Sequence, residues 1–280
     1  MRNILITGIT GTLGTEVTRQ LNEEIEEFNI FGICRAEKNI VNFPHDAAIS
    51  ICDIRDKQRL ERYIEIIEPD IIFHFAALKH VNMGEVFCEE FVKTNCNGTS
   101  NLCEIIAMPK NNHIRLVLSS TDKAVNPINV YGCTKYIAET MIKRLPSYVI
   151  CRYGNVFGSN GSIIDRMKKG VIDGTGKELK LTDKEMTRFF ISIENAAKFV
   201  IDMGLCLSMT GLHIPKMKSA RMAALFGIYF NEYFTGEAVK FDTPRPGEKI
   251  HEKLSDTLDS LTAEKFTREE LREMLKKYIG

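Results

Sequence analysis

The sequence has no excess of charge of either sign: Lys and Arg together number 37, and so do Asp and Glu. A chain without a net field has no general attraction for nucleic acid or an anionic membrane, so an anionic ligand must be held by a local site. Paired cysteine motifs are missing as well. The eight cysteines, at 34, 52, 88, 96, 103, 133, 151 and 206, include no C-x-x-C pair and no zinc-like spacing with the six histidines. No metal site is expected, and the cysteines read as reduced, mostly buried thiols. Long hydrophobic runs are absent from the N-terminus, where Met1-Arg2-Asn3 leads into a short apolar run broken at Gly8. That run is too short for a signal peptide core or a membrane span, so a soluble, cytoplasmic protein without membrane insertion is expected. Nor is there an internal repeat, a low-complexity tract or a linker separating two independent domains.

The 280 residues suffice for one large α/β domain, or for a domain with a smaller lobe. Short apolar β-rich runs, "NILIT" at 3–7, "FNIFGI" at 28–33, "AISIC" at 48–52, "DIIFHF" at 70–75, "IRLVLSS" at 114–120 and "YVICR" at 148–152, fit buried parallel strands. Amphipathic segments lie between them. In "DKQRLERYIEIIE" at 56–68, Leu60, Ile64 and Ile67 recur at helical spacing beside a charged face. The alternation predicts a doubly wound parallel sheet of Rossmann type. After about residue 155 the pattern loosens into Gly-rich "GSNGS" and "DGTGKE", shorter elements and a charged terminal helix around "TREELREMLKKY", which reads as a smaller α/β C-terminal lobe.

"ILITGITGTLG" places Gly8, Gly11 and Gly14 directly after the first strand and at the opening of a helix. In a dinucleotide turn Gly8 permits the tight turn, Gly11 lets the backbone approach a pyrophosphate, and Gly14 lets helix and strand pack closely; Thr10, Thr12 and Leu13 complete the loop. The alternative is a plain Gly-rich turn. After the second strand, where an NAD site usually places an acid, stands Arg35. A guanidinium suits a 2′-phosphate, which favours NADP over NAD, unless Arg35 is simply a solvated loop residue. After the third strand, Asp53 can accept from an adenine amino group with Ile54 covering the ring, or it can cap the helix that follows. Spacing does not decide between these.

Tyr131 and Lys135 are four apart in "VYGCTKYIAETMIKRL", which reads as a helix, so both lie on one face. A tyrosinate stabilised by a lysine ammonium can take the proton of a secondary hydroxyl as hydride leaves. A surface aromatic–lysine pair has the same spacing. Thr121, Asp122 and Lys123 end the fifth strand, at the carboxyl edge where parallel sheets bind ligands, yet Ser, Thr and Asp also stop strands and Asn126-Pro127 starts a turn.

The segments "TGITGTLG", "FAALKHV", "KTNCNGTSN", "STDKAVNPINVYGCTK", "RYGNVFGSNGS", "LTDKEMTRFFIS" and "RPGEKIHE" resemble the successive motifs of the UDP-N-acetylglucosamine 4,6-dehydratases, extended short-chain dehydrogenase/reductases. The resemblance is collinear from residue 3 to about 254, and its most telling part is Thr-Asp-Lys ahead of Tyr-x-x-x-Lys. It implies tightly bound, internally recycled NADP, a UDP-sugar substrate and a homo-oligomer, a dimer or larger. It implies an NADP-binding domain over 1–158 with 188–214 and a nucleotide-sugar-binding lobe over 159–187 with 215–280. By the family pattern Tyr131 takes the 4-hydroxyl proton while Lys135 tunes it and holds the ribose. Asp122 protonates the departing 6-hydroxyl, Lys123 takes the C5 proton, and Thr121 hydrogen-bonds the reacting hydroxyl. Ala76, Ala77, Lys79 and Asn95 join the cofactor site; Lys79, Asn155, Arg188, Arg245 and Glu248 are implied for the nucleotide-sugar, although Arg188 and Arg245 suit a structural ion pair equally.

Tyr131, where C5-retaining members carry Met, and the modest length tilt the resemblance towards the C5-inverting subgroup that starts pseudaminic acid synthesis. The sequence departs from the pattern in a short segment between the second and third strands, in "GEVFCEEFVKTN", in Cys52 before Asp53, and in a shortened end after "RPGEKIHEKL". A 4-epimerase would need no acid and base for the 6-hydroxyl, so Asp122 and Lys123 argue against it. A 5,6-dehydratase or a bifunctional dehydratase/epimerase is not separated by the motifs. A non-catalytic NADP-binding sensor is opposed by the complete set Thr121, Asp122, Lys123, Tyr131 and Lys135.

Overall fold

The structure, a computed structural model, describes residues 1–24, 28–235, 238–243 and 246–280. Its strands are β1 (Arg2–Thr7), β2 (Phe28–Cys34), β3 (Ala48–Ile51), β4 (Ile71–His74), β5 (Arg115–Thr121), β6 (Tyr148–Tyr153), β7 (Asn155–Phe157), β8 (Lys180–Leu181), β9 (Thr187–Ser192), β10 (Gly211–His213), β11 (Lys218–Arg221) and β12 (Lys240–Phe241). Its α-helices are α1 (Thr12–Glu23), α2 (Lys57–Ile67), α3 (Val81–Val86), α4 (Cys88–Phe91), α5 (Gly98–Ile106), α6 (Val130–Ile142), α7 (Ile163–Asp173), α8 (Ile193–Leu205), α9 (Met222–Tyr233) and α10 (Arg268–Ile279). The chain divides into two compact units, Met1–Arg152 with Glu194–Ile214, and Tyr153–Ile193 with Pro215–Gly280.

The first unit is built on a seven-stranded sheet in the order β10-β6-β5-β4-β1-β2-β3. The registered pairs β1–β2, β1–β4, β2–β3, β4–β5 and β6–β10 are all parallel. Ile4, Leu5 and Ile6 are all fully buried, so successive side chains of β1 are covered on both faces; this is why the strands read as continuous apolar runs. On one face Leu5, Ile72, Leu116 and Ile150 meet Leu60, Ile64 and Ile67 of α2, Leu102 and Ile105 of α5, and Ala138 and Ile142 of α6. Each such Leu or Ile side chain contributes about 1.5–3 kcal/mol on burial. Helix α2 starts where the Asp56 carboxylate accepts from Arg59 N at 3.1 Å and stops at Glu68, which turns left-handed at φ 48°. Strand order reverses between β1 and β4, which opens a crevice at their carboxyl ends.

The second unit holds a three-stranded sheet, β11-β9-β7, and a two-stranded one, β12-β8. Its core joins Phe157, Phe190, Phe226, Tyr229 and Phe230 to Leu271, Leu275 and Ile279 of α10. Those three recur every fourth residue, and a capping box of Thr267 and Glu270 starts the helix. The terminal helix is thus part of the core.

The boundaries expected from sequence differ from those observed. Residues 153–158 and 188–193 belong to the second unit, because β9 pairs with β7 on one side and β11 on the other. The β-rich runs read as strands of either lobe, and only this pairing assigns them.

Candidate active site

Thr7 ends β1, and the chain must then turn sharply beneath the start of α1. Gly8 does this at φ 70°, and a Cβ there would stand 2.9 Å from both Cα and N of Ala76. A Cβ on Gly14 would stand 2.5 Å from the Ile9 carbonyl, so this glycine permits the close packing of helix on strand. Gly11 caps α1 without any side-chain hydrogen bond, and Thr12 and Leu13 form the first turn behind it, where the helix dipole favours an anion. In front of this loop lies a cavity of about 540 Å³, lined in part by Gly8, Thr10, Gly11, Arg35, Asp53, Ile54, Ala76 and Ala77. Thr94 also lines it, with its Oγ1 buried and unpartnered.

Arg35 follows β2 directly and is exposed at the cavity. Asp53 is not the cap of α2, since Asp56 has that place. Its carboxylate accepts from Arg55 N at 2.9 Å and from the Arg55 guanidinium at 2.9 and 2.7 Å. Burial alone would raise the Asp53 pKa; the bonds from Arg55 outweigh it and hold the group below its ordinary value. Ile54 is buried, and the missing side chain of Gly98 makes room for it.

The carboxyl end of β4 is held by a directed chain of hydrogen bonds. Thr7 Oγ1 accepts from Phe75 N and Ala76 N, both at 3.2 Å, so its own proton goes to His74 Nδ1 at 2.8 Å. Thr99 Oγ1 donates to the Asn95 carbonyl and so accepts from His74 Nε2 at 3.0 Å. This fixes the neutral tautomer. Burial, aided by the charge of Lys135, pushes His74 down to about 3. Asn95, expected at the cofactor, has its amide occupied: Oδ1 accepts from Leu78 N at 2.8 Å, and Nδ2 donates to the Leu78 carbonyl at 2.9 Å and to Thr134 Oγ1 at 3.0 Å. It therefore ties the segment leading to the exposed Lys79 onto α6.

At the end of β5 the polar residues form one bonded cluster. Thr121 Oγ1 donates to Asp122 Oδ1 at 2.9 Å, and Lys123 Nζ reaches the same oxygen at 3.0 Å. Asp122 is fully buried and its Oδ2 has no partner. Tyr131 stands near enough to this cluster for Lys123, Thr121 and Asp122 to act on its ionisation. Burial raises the Tyr131 pKa, opposed by the Lys123 charge and the Thr121 bond. Lys135, one turn further along α6, is buried, and desolvation lowers its pKa to about 8 against the favourable charge of Glu139.

Sequence reasoning missed what brings the triplet and the helix together. A Cβ on Gly132 would lie 2.2 Å from the Lys123 carbonyl oxygen, so only glycine lets α6 approach this closely. Asn129 caps α6 at Gly132 N, 2.7 Å away, and Glu85 of α3 accepts from Val130 N at 2.8 Å. Tyr-Gly beside Asn-Pro was the available signal, because a glycine in a helix's first turn is costly without a packing reason.

In the second unit Arg188 is buried, and its guanidinium donates to the carbonyls of Thr187 at 2.8 Å, Lys249 at 2.6 Å and Ile250 at 2.9 Å. Glu248 stands 3.9 Å away, with its Oε2 buried and unpartnered. Arg188 thus ties the loop carrying Glu248 to β9. Asn155 opens β7 and is partly exposed. Arg245 lies outside the described residues. No cluster of metal-ligating side chains, and no helix long and apolar enough to cross a membrane, occurs among the described residues.

The family model described as "Polysaccharide biosynthesis protein" matches residues 4–272. The chain is 34% identical over 273 residues to the UDP-N-acetylglucosamine 4,6-dehydratase (inverting) of Campylobacter jejuni, spanning 92% of this chain and 79% of that one. It is 35% identical over 298 residues to a Methanocaldococcus jannaschii protein named an uncharacterized membrane protein, spanning 99% and 86%. To the UDP-glucose 4-epimerase of Rickettsia canadensis it is 30% identical, spanning 94% and 80%. Among solved structures, Pen from Bacillus thuringiensis superimposes with a TM-score of 0.84 at 26% identity, covering 99% of this chain and 97% of that one. The chain belongs to the polysaccharide biosynthesis protein family and has the Rossmann-type fold of the short-chain dehydrogenase/reductases, a family whose curated members include nucleotide-sugar 4,6-dehydratases.

Proposed function

We propose that this protein is an NADP-dependent dehydratase that converts UDP-N-acetylglucosamine to a UDP-4-keto-6-deoxy-N-acetylhexosamine with inversion at C5. The observation that carries the reading is Tyr131 within the influence of the bonded cluster of Thr121, Asp122 and Lys123 at the carboxyl edge of the sheet. An epimerase needs the first of these groups. Only an elimination needs a buried acid and a lysine beside it.

The cavity residues fit a dinucleotide. The uncapped start of α1 suits a pyrophosphate, the orphaned Thr94 hydroxyl awaits a partner, and exposed Arg35 suits a 2′-phosphate, which favours NADP over NAD. Gly8, Thr10, Gly11, Thr12, Leu13, Gly14, Asp53, Ile54, Ala76, Ala77 and Lys79 are assigned to it with Lys135, and Asn95 supports it through Leu78 and Thr134. Bound there, NADP supplies the acceptor for hydride from C4 and its donor to C6. Tyr131 takes the 4-hydroxyl proton. Lys123 takes the C5 proton, which the new C4 ketone acidifies, while Asp122 gives a proton to the departing 6-hydroxyl. Lys123 must be neutral and Asp122 protonated at that moment, the reverse of an ion pair. One proton transfer across their 3.0 Å contact supplies both forms.

Lys79, Asn155, Arg188, Glu248 and Arg245 are proposed for the nucleotide-sugar, with Arg188 acting through the loop it ties down. A cytoplasmic location and a place at the start of pseudaminic acid synthesis go with this reading. So does a homo-oligomer, supported by exposed Val86 and Phe87 at the end of α3 and exposed Tyr136 and Ile137 on α6. The test is incubation of the purified protein with UDP-N-acetylglucosamine and mass analysis of the sugar nucleotide. A product lighter by one water supports dehydration, and an isomer of unchanged mass would support the epimerase reading instead.

A further inference from the structure

Further along α6, on the side that carries Tyr131 and Lys135, lies an ionic group that the reaction steps above leave unused. Glu139 is 1% exposed. It sits one turn beyond Lys135 and two beyond Tyr131 on the same helix. Its Oε1 accepts from Ser120 Oγ, and its two oxygens accept from Nε and Nη2 of Arg152. Ser120 is the residue immediately before Thr121, and Arg152 belongs to β6. One carboxylate therefore joins the end of β5, the next strand of the sheet and the helix that carries the tyrosine and lysine.

We infer that Glu139 is a positioning residue for the dehydratase site, holding Thr121-Asp122-Lys123 in register with Tyr131 and Lys135 and supplying the anion that keeps Lys135 charged. The inference rests on the catalytic reading of Tyr131 and Lys135. A mere structural pair would be neutral overall and could be replaced by apolar side chains of similar volume at little cost. Position argues for more. Charged and titratable groups reach Lys135 from three elements: Glu139 from α6, His74 from β4 and Cys96 from the turn before α5. His74 is held neutral and burial raises the Cys96 thiol. Glu139 is thus the carboxylate among those groups, opposing the desolvation that would strip Lys135 of its proton.

The test compares wild type, Glu139→Gln and the double variant Glu139→Gln/Arg152→Met. Lys135 titration is followed by NMR of Cε-labelled lysine, assigned with Lys135→Arg, alongside thermal stability and the pH profile of kcat/KM. Removing the anion disfavours the ammonium. In Glu139→Gln, Lys135 titrates at lower pH, with roughly tenfold lower proton affinity, and the alkaline limb of kcat/KM moves the same way. The double variant regains thermal stability but keeps the displaced titration and limb; it also serves where the single variant does not fold. A Lys135 titration and limb unchanged in a folded variant, or restored together with stability in the double variant, would overturn the inference. The NMR titration needs no substrate, so it tests the electrostatic claim even if wild type were to release no dehydrated sugar, which would be a failure of the proposed activity.

Discussion

Lys123 Nζ and Asp122 Oδ1 stand 3.0 Å apart, and the carboxylate is fully buried with its second oxygen unpartnered. If each residue loads the other by exchanging one proton, Asp122 serves Lys123 as well as the leaving group. The dehydrated product has no 6-hydroxyl, so exchange of its C5 proton with solvent deuterium isolates the base. Asp122→Asn is expected to slow that exchange about 100-fold at neutral pH, within the usual range for a general base step, and to recover as pH rises and Lys123 deprotonates to solvent. Exchange at the wild-type rate would confine Asp122 to the acid role.

Gly132→Ala places a Cβ 2.2 Å from the Lys123 carbonyl. The backbone must separate, which costs about 1–3 kcal/mol of stability and moves Tyr131 away from Thr121. Turnover is expected to fall at least tenfold, on the order of the cost of a misplaced reacting group. Cys133→Ala, one residue on and exposed, is the control and keeps wild-type activity and melting temperature.

Arg35→Asp exchanges a cation for an anion at the cavity rim. Loss of a charge-assisted bond of about 1.5–3 kcal/mol weakens NADP roughly 10- to 100-fold and leaves NAD little changed. Titration calorimetry with both nucleotides measures this, and an unchanged preference would remove the 2′-phosphate argument.

His74 is neutral in the folded chain down to about 3, whereas an unfolded histidine protonates near 6.5. The unfolded state therefore binds the extra proton between these values, so stability falls as pH falls through that window, by about 1.4 kcal/mol per pH unit for one proton. His74→Gln removes this slope. Urea midpoints taken across the window are expected to converge between variant and wild type towards acid pH, and parallel curves would contradict the assignment.

The parallel sheet was legible because both faces of its strands are covered, so Ile4, Leu5 and Ile6 announce themselves as a run. The glycine loop and the polar cluster were legible because their spacing maps onto a strand end and one helix face. Asp53 was ambiguous because a cap and an adenine acceptor look alike in sequence; the structure gives the cap to Asp56. Glu139 escaped notice because a glutamate in a helix reads as solvated, and its partner Arg152 comes from a strand thirteen residues later in the chain. Arg188 reads as an anion binder or an ion-pair partner until the three carbonyls around its guanidinium are seen. For Glu139 and Arg188 the missing term was a neighbour distant in sequence, Arg152 for the first and the carbonyls of Lys249 and Ile250 for the second.

The central claim is elimination across C5 and C6 with inversion, and one proton NMR spectrum reads it. Wild-type protein is incubated with UDP-N-acetylglucosamine in deuterated water. The expected spectrum shows a new C6 methyl, deuterium at C5 and the inverted C5 configuration, and Lys123→Gln abolishes all three. A spectrum in which C6 keeps its hydroxyl while C4 changes configuration would contradict dehydration outright.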